Sequence, residues 1–230
     1  MIKNKKILII EPHSDDSIIS CGGYLLKNKD RFDLNFCLVC ASDLNMYHGK
    51  VSRKTRVDEY IKYVDYFNGK FITPSNEGDI LPLDMEGKLD LVPRAKLVRL
   101  IEKAIFEVEP DILMVMGQSF HHDHTIVYEA VIAATRPTST FSPKEIYIME
   151  NPTYVHSFSL ADRVIPDTYV KLSKAEVEKK LNCFKDIFPS QIRDGDNCLS
   201  PEGIKNWARY RGVEARCNYA EAFQTFLRVI

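Results

Sequence analysis

Short, nearly unbroken runs of apolar residues alternate along this chain with segments of helical period, and that alternation limits the folds open to it. Strand-like runs stand at 5–11, 33–41, 70–73, 111–117 and 145–149. Between them, apolar residues recur at helical spacing over about 16–28, 53–67, 92–108 and 124–134. In the third of these segments Leu97, Leu100, Ile101, Ala104, Ile105 and Val108 mark one face, and Pro110 closes it before the next strand. Strands apolar on both sides need cover on both faces. The expected fold class is α/β: a doubly wound, mostly parallel sheet with helices on both faces.

The last third reads differently. Thr168–Ser173 suggests one more strand, and Lys174–Phe188 and Pro201–Arg216 two helices, with no linker-like shift in composition. We expect a single domain over 1–230, with a core of about 1–150 and a C-terminal extension of about 151–230 that walls the site. At 45% apolar and 10% aromatic residues the chain can bury a real core, and its net charge of -1, without a basic run, argues against nucleic acid as partner. No apolar stretch approaches the length of a membrane span. The apolar run that ends before Glu11 is too short for a secretory leader. Cys37 and Cys40 have CxxC spacing but sit in a strand-like run, and no second pair completes a zinc site. Buried, reduced thiols and a cytoplasmic setting are therefore expected. The sequence leaves self-association open.

The chemistry lies where two of the strands end. Ile7–Ile10 runs through Pro12 into His13-Ser14-Asp15-Asp16, with Cys21-Gly22-Gly23 beyond. Asp111–Met116 runs through Gly117 into His121-His122-Asp123-His124. Four of the six histidines lie in these two segments. Open α/β sheets bind ligands beyond the carboxyl ends of their strands. If the five strands take the order 3-2-1-4-5, the first and fourth are neighbours and the two clusters meet. His13 and Asp16, three apart at a helix start, then converge on one face. His121 and His124 have the same spacing, with Asp123 between them. Two histidines and one aspartate leave a zinc ion one open position for water, which implies metal-assisted hydrolysis.

Plainer readings exist for each piece. A lone His-x-x-Asp is often a helix cap with a neighbouring charge, and Asp15 alone would be a solvated carboxylate favoured by the helix dipole. Gly22-Gly23 allows close helix–sheet packing rather than a phosphate loop. No GxGxxG, Walker A or GxSxG pattern is present, which weighs against nucleotide binding and serine hydrolysis.

With these motifs in view, the chain resembles the PIG-L/LmbE-like deacetylases. Pro12-His13-Ser14-Asp15-Asp16 with Cys21-Gly22-Gly23 is similar to that family's (A)HPDD…GCGG signature, and His121–His124 to its HPDH signature. Arg56-Val-Asp-Glu59, Ser190-Gln191, Arg211-Gly212 and Tyr219-Ala-Glu221-Ala-Phe223 resemble its R-x-x-E, SQ, RG and Y-x-E-x-F segments. The resemblance implies a Rossmann-like fold and zinc-dependent removal of an acyl group, usually acetyl, from an amino-sugar nitrogen. Another divalent transition metal is compatible with the same ligands. It further implies that His13, Asp16 and His124 bind the metal, that Asp15 is the general base, and that His121 stabilises the oxyanion with Asp123 orienting it. Substrate contacts are expected from Arg56 and Asp79, against the plainer readings of a salt bridge to Glu59 or Asp58 and of a turn residue. Trp207, Tyr210 and Tyr219 are candidates for a sugar platform or for core packing. Ser14 and His122 stand where prolines are usual in these signatures, and Ser119 where many members carry an acidic residue. The alternatives are a zinc amidohydrolase for a non-sugar amide and a catalytically silent sugar-binding protein.

Overall fold

The structure, a computed structural model, describes residues 4–46, 49–73, 75–76, 79–80, 83–154 and 164–230. His48, Glu77, Gly78 and His156 lie outside them. Five parallel strands form the centre: β1 (Lys5–Glu11), β2 (Phe32–Leu38), β5 (Lys70–Ile72), β8 (Ile112–Met116) and β9 (Glu145–Met149). Two small hairpins, β3–β4 (Leu44–Met46 and Gly49–Val51) and β6–β7 (Ser75–Asn76 and Asp79–Ile80), stand apart from this sheet. The helices are α1 (Asp16–Asn28), α2 (Arg53–Tyr66), α3 (Arg94–Val108), α4 (His122–Ala134), α5 (Lys174–Ile187) and α6 (Pro201–Glu214). Beyond β9 the sheet continues through β11 (Tyr219–Arg228) to β10 (Thr168–Leu172), both pairings antiparallel.

The complete order is β10-β11-β9-β8-β1-β2-β5, so the parallel strands take the expected arrangement and β1 lies between β2 and β8. Alternation along β1 shows why the strands are apolar throughout. Ile7 and Ile9 join a core with Ile18, Tyr60, Tyr63 and Phe184 from α1, α2 and α5. Leu8 and Ile10 join a second core with Leu97, Ile101, Val127 and Val131 from α3 and α4. Successive side chains enter opposite layers, and those of β1 are buried in both.

The C-terminal third extends the same sheet and packs against α1. The strand β11 was not among the expected elements, because its pattern is interrupted by Glu221, a carboxylate that is buried. Glu221 accepts the backbone N–H groups of Gly23 and Tyr24 at 2.8 and 2.6 Å. Lys180 Nζ closes the cluster, donating to Glu221 Oε1 at 2.7 Å and to the Ile19 carbonyl at 2.6 Å. An ion pair is thus set against the backbone ladder of α1. Glycine makes this approach feasible: a Cβ at Gly23 would stand 3.0 Å from Glu221 Oε1 and 2.5 Å from Leu172 Cδ1. The helix that begins at Asp16 is thereby tied to β11, the strand next to the edge of the sheet.

Other short motifs pair in the same way. Glu59 accepts from the backbone N–H and the hydroxyl of Ser190. Arg211 holds Glu150, at the end of β9, through Nε and a terminal nitrogen, and Trp207 Nε1 donates to the same carboxylate at 3.0 Å. Trp207 and Tyr210 stack at 5.6 Å with the Arg211 guanidinium against both rings. These two aromatics support the Glu150 clamp.

Candidate metal centre

Four strand ends supply the site, as an open α/β sheet requires. Pro12 stops β1, and His13 follows with its ring 8% exposed. The next residues turn into α1, whose N-cap is Asp15; the Asp15 side chain makes no capping bond. The loop after β8 brings Ser119 and His121, and His121 caps α4, so the helix begins two residues earlier than the apolar period indicates. His124 lies in the first turn of that helix and is fully buried. Cys40 follows β2, and Asn151 follows β9.

His13, Asp16 and His124 bring three ligand atoms together. Nδ1 of His13 is 3.2 Å from Nε2 of His124. Asp16 Oδ1 is 3.4 Å from that Nε2, and Asp16 Oδ2 is 3.7 Å from Nδ1 of His13. Tetrahedral bonds of about 2.0–2.1 Å to zinc would separate donor atoms by roughly 3.3–3.4 Å. Both the spacing and the donor set fit a zinc-like ion.

The remote nitrogen of each ring also has a partner. Asp123 Oδ2 stands 3.1 Å from Nε2 of His13 and accepts the Gly87 N–H at 2.7 Å. Ser119 Oγ lies 2.9 Å from Nδ1 of His124 and accepts the His121 N–H at 3.1 Å. Such outer partners fix ring orientation in metal sites, and a carboxylate, which can only accept, also fixes the tautomer. Asp16 is aimed by the His13 N–H at 2.8 Å and by Asn151 Nδ2 at 3.2 Å. Asp123 lies nearer His13 than His121, whose Nδ1 is 3.9 Å from Oδ2. His121 is instead oriented by the Asp123 backbone N–H, which donates to its Nδ1 at 3.3 Å.

Charges follow this layout. Burial opposes a charge on His13, yet Asp123, the Cys40 thiol and Asp16 outweigh it and hold the ring well above its ordinary 6.5. Burial also opposes the Asp16 carboxylate, but His124 and His13 pull it down to about 2. Asp15 is pushed up by burial and by Asp16 beside it, with Arg56 and His13 opposing. Burial, then His13 and His124, drive His121 down to about 4, leaving it neutral.

Arg56 is buried, but its partner is neither Glu59 nor Asp58. It donates to Glu86 and to the Ser42 carbonyl, while Glu59 holds Ser190 and Asp58 pairs with Lys54. Glu86 is a site residue missed in sequence. It accepts the Ser42 N–H at 2.9 Å, and its Oε1 lies 4.0 Å from Nε2 of His13. No motif marks it, because it reaches the site from a loop. Asn151 had a signal, since it lies two residues beyond the carboxyl end of a parallel strand. Asp79 falls in β7, and its side chain lies outside the described part of the structure.

Comparisons with known proteins bear on the fold and the family. A search of curated proteins found no match. Among solved structures, N,N'-diacetylchitobiose deacetylase from Pyrococcus horikoshii superposes with a TM-score of 0.67 at 18% identity, covering 96% of this chain and 84% of that one. The zinc-inhibited form of teicoplanin deacetylase gives 0.68 at 15% identity, covering 96% and 97%. The 4-carboxy-2-hydroxymuconate hydratase of Pseudomonas putida KT2440 gives 0.68 at 15% identity, covering 98% of each chain. These likenesses establish the fold, which carries more than one chemistry. The family model described as "PIG-L: GlcNAc-PI de-N-acetylase" matches residues 8–135, more than half of the sequence and both histidine clusters, and the chain belongs to that family.

Proposed function

We propose that the protein is a zinc-dependent hydrolase that removes an acetyl group from the nitrogen of an N-acetylated amino sugar or its conjugate. The observation that carries this reading is the convergence of His13, Asp16 and His124 at ligand spacing. Zinc held there would polarise the amide carbonyl and lower the pKa of a water from about 15.7 to about 7. Asp15 acts as general base on the attacking water and returns the proton to the departing amine. Its raised pKa suits both duties. With Nδ1 accepting from the Asp123 backbone, His121 carries its proton on Nε2. That N–H donates to the carbonyl oxygen as negative charge develops. Asp123 orients His13 through its carboxylate and His121 through its N–H. Arg56 acts through Glu86, which it holds at the edge of the site.

Family membership supports the amide-cleaving chemistry, and two relatives of the same fold are named as deacetylases. All six cysteines are free, in keeping with a reducing cytoplasm. The test is acetate release, with and without chelator, from free N-acetylglucosamine and its nucleotide-linked, glycosidic and phospholipid-linked conjugates. Chelator-sensitive acetate from one of them establishes the activity and names the substrate class. Silence across the panel in zinc-loaded protein points to a non-sugar amide.

A further inference from the structure

The side chains of β1 that face α1 and α2 are Ile7, Ile9 and then Glu11, which is fully buried. A carboxyl in such a row is costly unless its hydrogen bonds are made, and here both oxygens are engaged. Oε2 accepts the Ser17 N–H of α1 at 3.0 Å, and Oε1 accepts the Tyr60 hydroxyl of α2 at 2.8 Å. Ser17 is the second residue of α1, so its N–H is one of the amides that a helix start leaves without an internal partner. The residue placed to take such an amide is the N-cap. Ser52, His121, Ser173 and Ser200 cap α2, α4, α5 and α6 in this way, each from extended backbone. Asp15 stands at the same position of α1 and has an acceptor to offer, yet its side chain makes no capping bond, and its backbone is turned to φ -107°, ψ -3°. It is also the one residue from 11 to 20 that is not buried.

We propose that Glu11 is a positioning residue, which caps α1 from the preceding strand so that the Asp15 carboxyl stays free to act on the water beside the metal. The inference rests on the reading of Asp15 as the general base. An aspartate at an N-cap, with an open N–H two residues on, would fold its carboxyl back onto that amide. The hydrogen bond would hold the carboxylate away from the water and, by favouring the charged form, weaken it as a base. Glu11 occupies that amide first, from a strand paired on both sides with β2 and β8. Tyr60 holds its other oxygen, so the Glu11 carboxyl is fixed from two helices. Ser17 is fixed in turn by its own hydroxyl, which donates to the Tyr63 hydroxyl at 3.0 Å. Asp15 is left within the field of Asp16, Arg56 and His13.

The test replaces Glu11 in the zinc-loaded protein. Glu11→Met keeps the length of the side chain and removes the acceptor. Its crystal structure is expected to show an Asp15 carboxyl oxygen within hydrogen-bond distance of the Ser17 nitrogen. Its kcat, on the substrate that wild type cleaves, should fall about 10²-fold at unchanged KM and unchanged tight zinc. Glu11→Gln keeps a carbonyl for the Ser17 N–H and should keep the wild-type kcat. Glu11→Asp, one carbon short of that N–H, should lose kcat as Glu11→Met does, and it replaces Glu11→Met if that variant does not fold. On top of Asp15→Asn, Glu11→Met should cost nothing further, because both act through one group. Asp15 unmoved in Glu11→Met, a wild-type kcat in that variant, or a full further loss on top of Asp15→Asn overturns the proposal. Failure of the base reading looks different: zinc-loaded Asp15→Asn turns over normally, while Asp15 still folds onto the helix in Glu11→Met.

Discussion

Nδ1 of His13 stands 3.2 Å from Nε2 of His124, although the two residues are 111 positions apart in the chain. Each comes from a loop that leaves the carboxyl end of a parallel strand. Because β1 and β8 are paired, the two loops open side by side. Two imidazoles this close, with Asp16 facing both, share one point in space. The metal assignment follows from sheet order as much as from residue type.

His124→Ala should abolish tight metal binding while the chain stays folded, since the cores on either face of the sheet do not depend on that ring. Metal analysis after dialysis against about one equivalent of zinc checks this. Stoichiometric tight zinc in the variant would remove His124 from the ligand set.

Metal affinity should rise with pH well past the ordinary histidine range. His13 must be neutral to ligate, and in the metal-free protein it is held above 6.5, first against burial and then chiefly by Asp123. A raised pKa means that the proton persists as pH rises and competes with the ion until that pKa is passed. Affinity should therefore climb about tenfold per pH unit through neutrality and then level off. Asp16, down at about 2, adds no slope. Chelator competition at several pH values measures the curve. Asp123→Asn should move the plateau to lower pH, and a curve already flat above pH 6.5 in wild type would contradict the His13 assignment.

Ser119 should tune metal affinity through the His124 tautomer. A hydroxyl can donate to Nδ1 or accept from it, so it does not dictate which nitrogen carries the proton. A carboxylate can only accept, which would place the proton on Nδ1 and leave Nε2 for the metal. Ser119→Asp is expected to tighten zinc binding, and Ser119→Ala to weaken it, by about 10–100-fold at most. Equal affinities in all three proteins would show that the hydroxyl contributes nothing.

The Glu221 clamp should be structural. Glu221→Gln leaves Lys180 buried without its counter-charge, at a cost of about 3–5 kcal/mol. Gly23→Ala drives a methyl group into Leu172 and Glu221, costing about 1–3 kcal/mol. Denaturant unfolding of the metal-free protein measures both. A change below about 1 kcal/mol in Glu221→Gln would mean that the ion pair does not stabilise α1.

Much of this architecture was legible because the central strands are apolar on both faces and the helices carry a regular period. The convergence of Asp16 and His13 was legible from their spacing together with the strand end they follow. What escaped notice had physical reasons. The β11 pattern is broken by Glu221, and a buried carboxylate looks like a solvent-facing residue until its partners are seen. The start of α4 was placed late because its cap is His121, not one of the short polar residues that usually cap helices. Glu86 arrives from a loop with no periodicity. The minor motifs gain meaning only in three dimensions: Glu59 meets Ser190, Arg211 meets Glu150, and Gly23 admits Glu221.

The most direct test of the account separates the metal from the base in one sample. Asp15→Asn, loaded with zinc, should retain about one tight equivalent of metal by elemental analysis and lose acetate release by about 10²–10⁴-fold on the substrate that wild type cleaves. Near-normal turnover, or loss of the tight zinc, would contradict the division of labour between Asp15 and the His13, Asp16 and His124 cluster.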